Sequence, residues 1–87
     1  MALVRLRGPL KKLAGERAEH EVEGTTVAEL LKSLERQHPA LDGWILDERG
    51  AVREHINVFV NGERVDDAAA VDTGDKIDIL PAISGGL

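Results

Sequence analysis

The run Ile56-Asn57-Val58-Phe59-Val60-Asn61-Gly62 decides how the chain folds. From His55 to Val60, Ile56, Val58 and Val60 alternate with Asn57 and Phe59, the period-two pattern of a strand with one face in a core. Asn61-Gly62 suits a type I′ turn, in which both central residues take positive φ, so Glu63 to Val65 should return as a short antiparallel partner.

Downstream, the small residues Ala68 to Val71 and the turn Asp72-Thr73-Gly74-Asp75 lead to a last predicted strand, Lys76 to Leu80, with Ile77 and Ile79 inward and Pro81 ending it. Upstream, Thr26-Val27-Ala28-Glu29 is a capping box: the Thr26 hydroxyl should accept the Glu29 amide while the Glu29 carboxylate answers the amide of Thr26. A helix of about three turns follows, its apolar stripe being Val27, Leu30, Leu31 and Leu34, and Pro39 stops it near His38. From Ala40 to Glu54 the apolar residues Leu41, Trp44, Ile45 and Leu46 are interrupted by Gly43, Asp47 and Gly50, which fits either a short helix or a packed loop. Two further strands come first, Met1 to Arg7 with Ala2, Val4 and Leu6 on one face, and Arg17 to Glu23 with Ala18, His20 and Val22 on one face, paired as a hairpin across the breaker Gly8-Pro9.

The order strand, strand, helix, strand, short strand, strand fits an α+β fold, a mixed sheet curled over one main helix with the first and last strands parallel neighbours in its middle. That is the β-grasp, or ubiquitin-like, arrangement. The expected core joins Val27, Leu30 and Leu34 to Val4, Leu6, Ile56, Val58, Val60, Ile77 and Ile79. One domain is expected over 1–81, with 82–87 as a flexible C-terminal tail.

Composition removes several functions. The 87 residues include no Cys, so a disulfide framework, a thiolate zinc site and a cysteine nucleophile are all excluded. A net charge of −5 argues against nucleic acid, which calls for excess Lys and Arg. No apolar run is long enough to cross a membrane and no secretory pattern follows Met1, so the expected location is cytoplasmic and the expected partner another protein.

After the last strand comes Ile83-Ser84-Gly85-Gly86-Leu87. By physics alone this is a frayed terminus, yet paired glycines lack Cβ atoms and can thread a narrow slot to present a carboxylate to a catalyst. Asn57-Val58-Phe59-Val60-Asn61-Gly62, Thr73-Gly74-Asp75 and Ile79-Leu80-Pro81-Ala82-Ile83-Ser84-Gly85-Gly86 resemble the ubiquitin-like sulfur carriers over nearly the whole chain. That family includes the small subunit of molybdopterin synthase, the thiamine sulfur carrier and the mycobacterial carrier of cysteine synthesis, which looks most similar. The resemblance implies that an ATP-dependent activating enzyme adenylates the carboxylate of Gly86, which then accepts sulfur as a thiocarboxylate for a sulfur-accepting synthase. Leu87 departs from the pattern by holding the Gly86 carboxyl in a peptide bond, so a processing protease would have to remove it first. No bound cofactor is implied, and ATP belongs to the activating enzyme.

Parity sends Phe59 and Leu80 to the face opposite the core, and an apolar patch flanked by Arg5 and Arg7 suits partner docking. By resemblance to ubiquitin both residues align with its main recognition patch; Ile83 is grouped with them. His20, His38 and His55 show no metal-ligand spacing, and no metal site is expected. Glu19, Glu21 and Glu23 form a solvated strand face, and Trp44 is expected as a core or loop anchor. With no nucleophile–base constellation, the chain is expected not to be an enzyme. Beside the sulfur carrier stand a protein modifier joined to target lysines through Gly86 and a non-catalytic interaction domain.

Overall fold

Alternation in Ala2-Leu3-Val4-Arg5-Leu6 becomes strand β1, Ala2–Leu6, whose Ala2, Val4 and Leu6 are buried while Leu3 and Arg5 stay half-buried on the other side. The computed structural model describes residues 1–81. In it, β1 is followed by a short helix α1, Pro9–Leu13, then β2, Glu19–Val22, and the main helix α2, Val27–Gln37. A 3₁₀ turn at Pro39–Leu41 leads into an irregular segment, and then come β3, Ile56–Val60, β4, Glu63–Val65, and β5, Lys76–Pro81. The sheet order is β2-β1-β5-β3-β4. β1 and β5 run parallel at its centre, and every other neighbouring pair is antiparallel.

The helix caps almost as the sequence predicts. Thr26 Oγ1 accepts the Glu29 amide at 3.2 Å. The Glu29 carboxylate, however, reaches one residue further back than expected, accepting the Thr25 amide at 3.0 Å and the Thr25 hydroxyl at 2.7 Å. Thr25 and Val27 are also tied to the segment before β5, since Val71 N donates to Thr25 O and Val27 N to Ala69 O, each at 3.0 Å. Gly24 is forced by crowding, because a Cβ there would lie 2.6 Å from the Leu30 amide nitrogen. The β3–β4 turn has φ of 52° at Asn61 and 88° at Gly62, the positive values that a type I′ turn requires.

Val27, Leu30, Leu31 and Leu34 are buried against the inner sheet face of Val4, Leu6, Val22, Ile56, Val58, Ile77 and Ile79. Val60 is half-buried and packs against this cluster instead of lying within it, being next to the turn that ends β3. Leu10 and Ala14, in and just after α1, extend the core between β1 and β2, where the sequence suggested only a breaker.

Between residues 42 and 55 the chain is a packed loop. Leu46 and Ile45 are buried, and carboxylates satisfy the backbone: Asp47 Oδ1 accepts from Arg49 N at 2.9 Å and Ala51 N at 3.0 Å, while Glu35 Oε2 accepts from Leu46 N at 3.3 Å. Burial holds the Glu35 carboxyl above its ordinary value, opposed by that amide. Trp44 departs from expectation. It is 48% exposed, because Leu41 and Ile45 on either side of the Gly43 turn turn inward and leave the indole outside.

Candidate functional site

The face of the sheet turned away from α2 carries the residues that the sequence singled out for docking. Register places Glu19, Arg5, Asp78, Phe59 and Arg64 in one row across all five strands. Leu80 lies in the next row opposite Asn57, so Phe59 and Leu80 are diagonal neighbours on β3 and β5, within reach of each other's side chains. Both are half-buried, a correction to the exposed patch expected from parity alone. The reason is their position on inner strands, where flanking side chains of β1 and β4 rise beside them.

Arg5 and Arg7 do flank the patch, but they are not free. Arg5 Nε lies 3.4 Å and Arg7 Nη2 3.7 Å from the same Asp78 Oδ1. One carboxylate, 20% exposed, thus orients two guanidinium groups beside Leu80, the Arg7 side chain remaining 58% exposed. Ion pairs this open add at most about 1 kcal/mol each to stability, so their effect is to set direction. Asp78 was missed in the sequence, although the parity that sends Leu80 outward sends Asp78 to the same face.

β5 ends at Pro81, opposite Ile56 at the start of β3 and near the Arg7 end of β1, so the described residues end at one end of this face. Ile83, Gly85, Gly86 and Leu87 lie outside the described residues.

The structure also brings together two histidines that the sequence left separate. His20 from β2 and His38 from the end of α2 meet edge to face with ring centroids 4.7 Å apart. His20 is buried and its Nε2 donates to the Arg17 carbonyl at 2.9 Å. Burial lowers the His38 pKa below its ordinary value of 6.5, and the charges of His20 and Arg17 act in the same direction. Among the described residues no three His, Cys, Asp or Glu side chains gather as a metal ion would require, and no helix is long and apolar enough to cross a membrane.

Comparison with known proteins agrees with this geometry. Small archaeal modifier protein 1 of Haloferax volcanii is 36% identical over 84 residues, covering 94% of this chain and 97% of that protein. Sulfur carrier protein CysO of Mycobacterium tuberculosis is 28% identical over 83 residues, covering 88% and 89%. Among solved structures, the Amycolatopsis orientalis BexX/CysO complex contains a chain that superposes with a TM-score of 0.89 at 31% identity, covering 99% of this chain and 100% of that one. The family of small carriers described as the ThiS family matches residues 4–86, almost the full length, and the chain belongs to that family.

Proposed function

We propose that this protein is a sulfur carrier whose working group is the carboxyl of Gly86. The observation that supports this most directly is the family match, which runs through Gly86 and stops before Leu87. The fold is consistent with it, since β5, the last strand among the described residues, ends at Pro81, next to Leu80 and near Arg7.

In this reading a protease hydrolyses the Gly86–Leu87 peptide bond. An activating enzyme then joins the freed carboxylate to the adenylyl group of ATP, releasing pyrophosphate, and a sulfide-equivalent nucleophile displaces AMP to leave a thiocarboxylate. The carrier supplies no catalytic side chain. It presents the acyl group, and Phe59, Leu80, Ile83, Arg5 and Arg7 seat it on the activating enzyme and later on a sulfur-accepting synthase, all within the cytoplasm. The sulfur would enter cysteine, molybdopterin, thiamine or a tRNA base.

A second reading, favoured by the 36% identity to a small archaeal modifier protein, joins the same activated Gly86 to lysines of other proteins. Intact mass distinguishes the two. A chain ending at Gly86, incubated with the activating enzyme, ATP and a sulfur source, should exchange one oxygen for sulfur, whereas full-length chain should stay unchanged. Equal modification of the full-length chain removes the processing step, and attachment to lysine without any thiocarboxylate favours the modifier. A chain lacking Gly85 to Leu87 should fold and remain inert; if it still supports sulfur transfer, both readings are wrong and an interaction domain is left.

A further inference from the structure

An asparagine followed by glycine is open to a reaction of its own, because a glycine has no Cβ to shield its backbone nitrogen from the asparagine carboxamide. The chain has two asparagines. Asn57 precedes Val58, whose branched side chain crowds that nitrogen, whereas Asn61 precedes Gly62. Asn61 and Gly62 are exposed, and a Cβ built on Gly62 would meet nothing within 4 Å, so the turn stands clear in water.

In the folded chain the Asn61 carboxamide is engaged at both ends. Its Nδ2 donates to Asp75 Oδ1 at 3.0 Å and its Oδ1 accepts the Lys76 amide at 3.0 Å, while Asn61 N donates to Lys76 O at 2.8 Å. Backbone and side chain together carry the contact of β3 with β5 one residue past its last strand pair, Val60 with Ile77. Asp75 is fixed in turn, since its Oδ2 accepts the Asp72 amide at 2.8 Å. That amide and the Asn61 carboxamide hold the Asp75 carboxyl below its ordinary value, so it is an acceptor at neutral pH.

We propose that Asn61 is a deamidation site, guarded in the native state by its bonds to Asp75 and Lys76, and that its conversion unfastens the β3–β4 turn from the start of β5. The Gly62 nitrogen attacks Asn61 Cγ. A new N–C bond forms, the Cγ–Nδ2 bond breaks, and ammonia leaves with the proton of the Gly62 amide, giving a cyclic imide. Water then opens the ring at either carbonyl, leaving an aspartate or an isoaspartate at position 61. Cyclisation needs Cγ to swing toward Gly62 and Nδ2 to depart, and both hydrogen bonds oppose this. Reaction therefore proceeds from the small fraction of molecules in which they are open. The product has lost the amide donor and sets a second carboxylate against that of Asp75, and an isoaspartate also lengthens the main chain by a methylene inside a two-residue turn. The site does not depend on what the chain carries.

The test is timed incubation of the full chain at neutral pH, with intact mass and peptide mapping to score conversion at positions 57 and 61. Asp75→Asn keeps an oxygen for the Asp72 amide but turns an NH2 group on that of Asn61, so conversion at 61 should run about tenfold faster than in wild type, with position 57 unchanged. Wild type unfolded in urea should convert faster still. Asn61→Asp, which makes the product directly, should lower the urea midpoint, and Asn61→Asp/Asp75→Asn should recover it, because amide and carboxylate have only changed places. Circular dichroism establishes which variants are folded. A folded Asp75→Asn chain that converts at the wild-type rate overturns the guard, as does equal conversion in folded and unfolded wild type; if Asp75→Asn does not fold, the second comparison decides. Absence of conversion at 61 in the unfolded chain overturns the site itself. An Asn61→Asp midpoint equal to that of wild type, or a double variant no more stable than Asn61→Asp, overturns the coupling to Asp75 and β5.

Discussion

Gly24→Ala tests the packing of α2 against the chain that enters it. An added Cβ would lie 2.6 Å from the Leu30 amide nitrogen, 2.7 Å from its Cα and 2.9 Å from its Cβ, all inside any real contact distance. Leu30 cannot yield, because its amide donates to Thr26 O at 3.0 Å and its side chain is fully buried. Residue 24 must therefore retreat and pull Thr25 with it, straining the bonds from Thr25 N to Glu29 and from Val71 N to Thr25 O. Overpacking of this kind typically costs about 1–3 kcal/mol, and weakening a net hydrogen bond adds about 1, giving a loss of about 2–4 kcal/mol. For a domain of this size the thermal midpoint should fall by about 10–25 °C. The assay is thermal and urea unfolding followed by circular dichroism. The sign is informative, since Gly24 is not among the positive-φ residues and alanine would otherwise stabilise by about 0.4–1 kcal/mol through the unfolded chain. A midpoint equal to or above that of wild type would refute the crowding.

Phe59→Ala should weaken binding to the activating enzyme by about 2 kcal/mol, roughly 30-fold, if Phe59 anchors the interface, while stability falls by no more than about 1 kcal/mol because the ring is only half-buried; calorimetric titration showing unchanged affinity would remove it from the interface. The His38 pKa is lower in the folded state than the ordinary 6.5, so below that value the unfolded chain binds more protons and stability drops as pH falls from 6.5 toward the folded value. Urea midpoints should hence decline as the solution is acidified from about pH 7 to about pH 5, and His38→Gln should flatten that slope; an identical slope in the variant would assign the effect elsewhere.

Periodicity reveals whatever is long enough to repeat. The alternation of β1, β3 and β5, the stripe of α2, and the Asn61-Gly62 turn all appear in the structure within a residue or two of their sequence limits. α1 escaped because Pro9–Leu13 is barely more than one turn and Gly8-Pro9 reads equally as a stop and as a helix start. The 42–55 segment is held by side chains of Asp47 and Glu35 bonding to backbone amides, which imposes no period on the sequence. At the candidate site, parity placed Phe59, Leu80 and Arg5 on the correct face, but it says nothing of how much neighbours cover them. The Asp78 clamp on two arginines, and the contact between His20 and His38, arise from strand order and from the seat of α2 on β2, which are properties of the assembled sheet.

β5 is the central strand and, among the described residues, also the last in sequence. Remove it and the sheet falls into two separate pairs, β2 with β1 and β3 with β4, each too small to persist alone in water. A chain cut short before residue 81, whether by a stalled ribosome or by a protease, thus never attains the native state and is left open to degradation. Assembly of the sheet therefore depends on residues that lie only a few positions before Gly86, so a chain that attains this fold carries its sequence at least through β5.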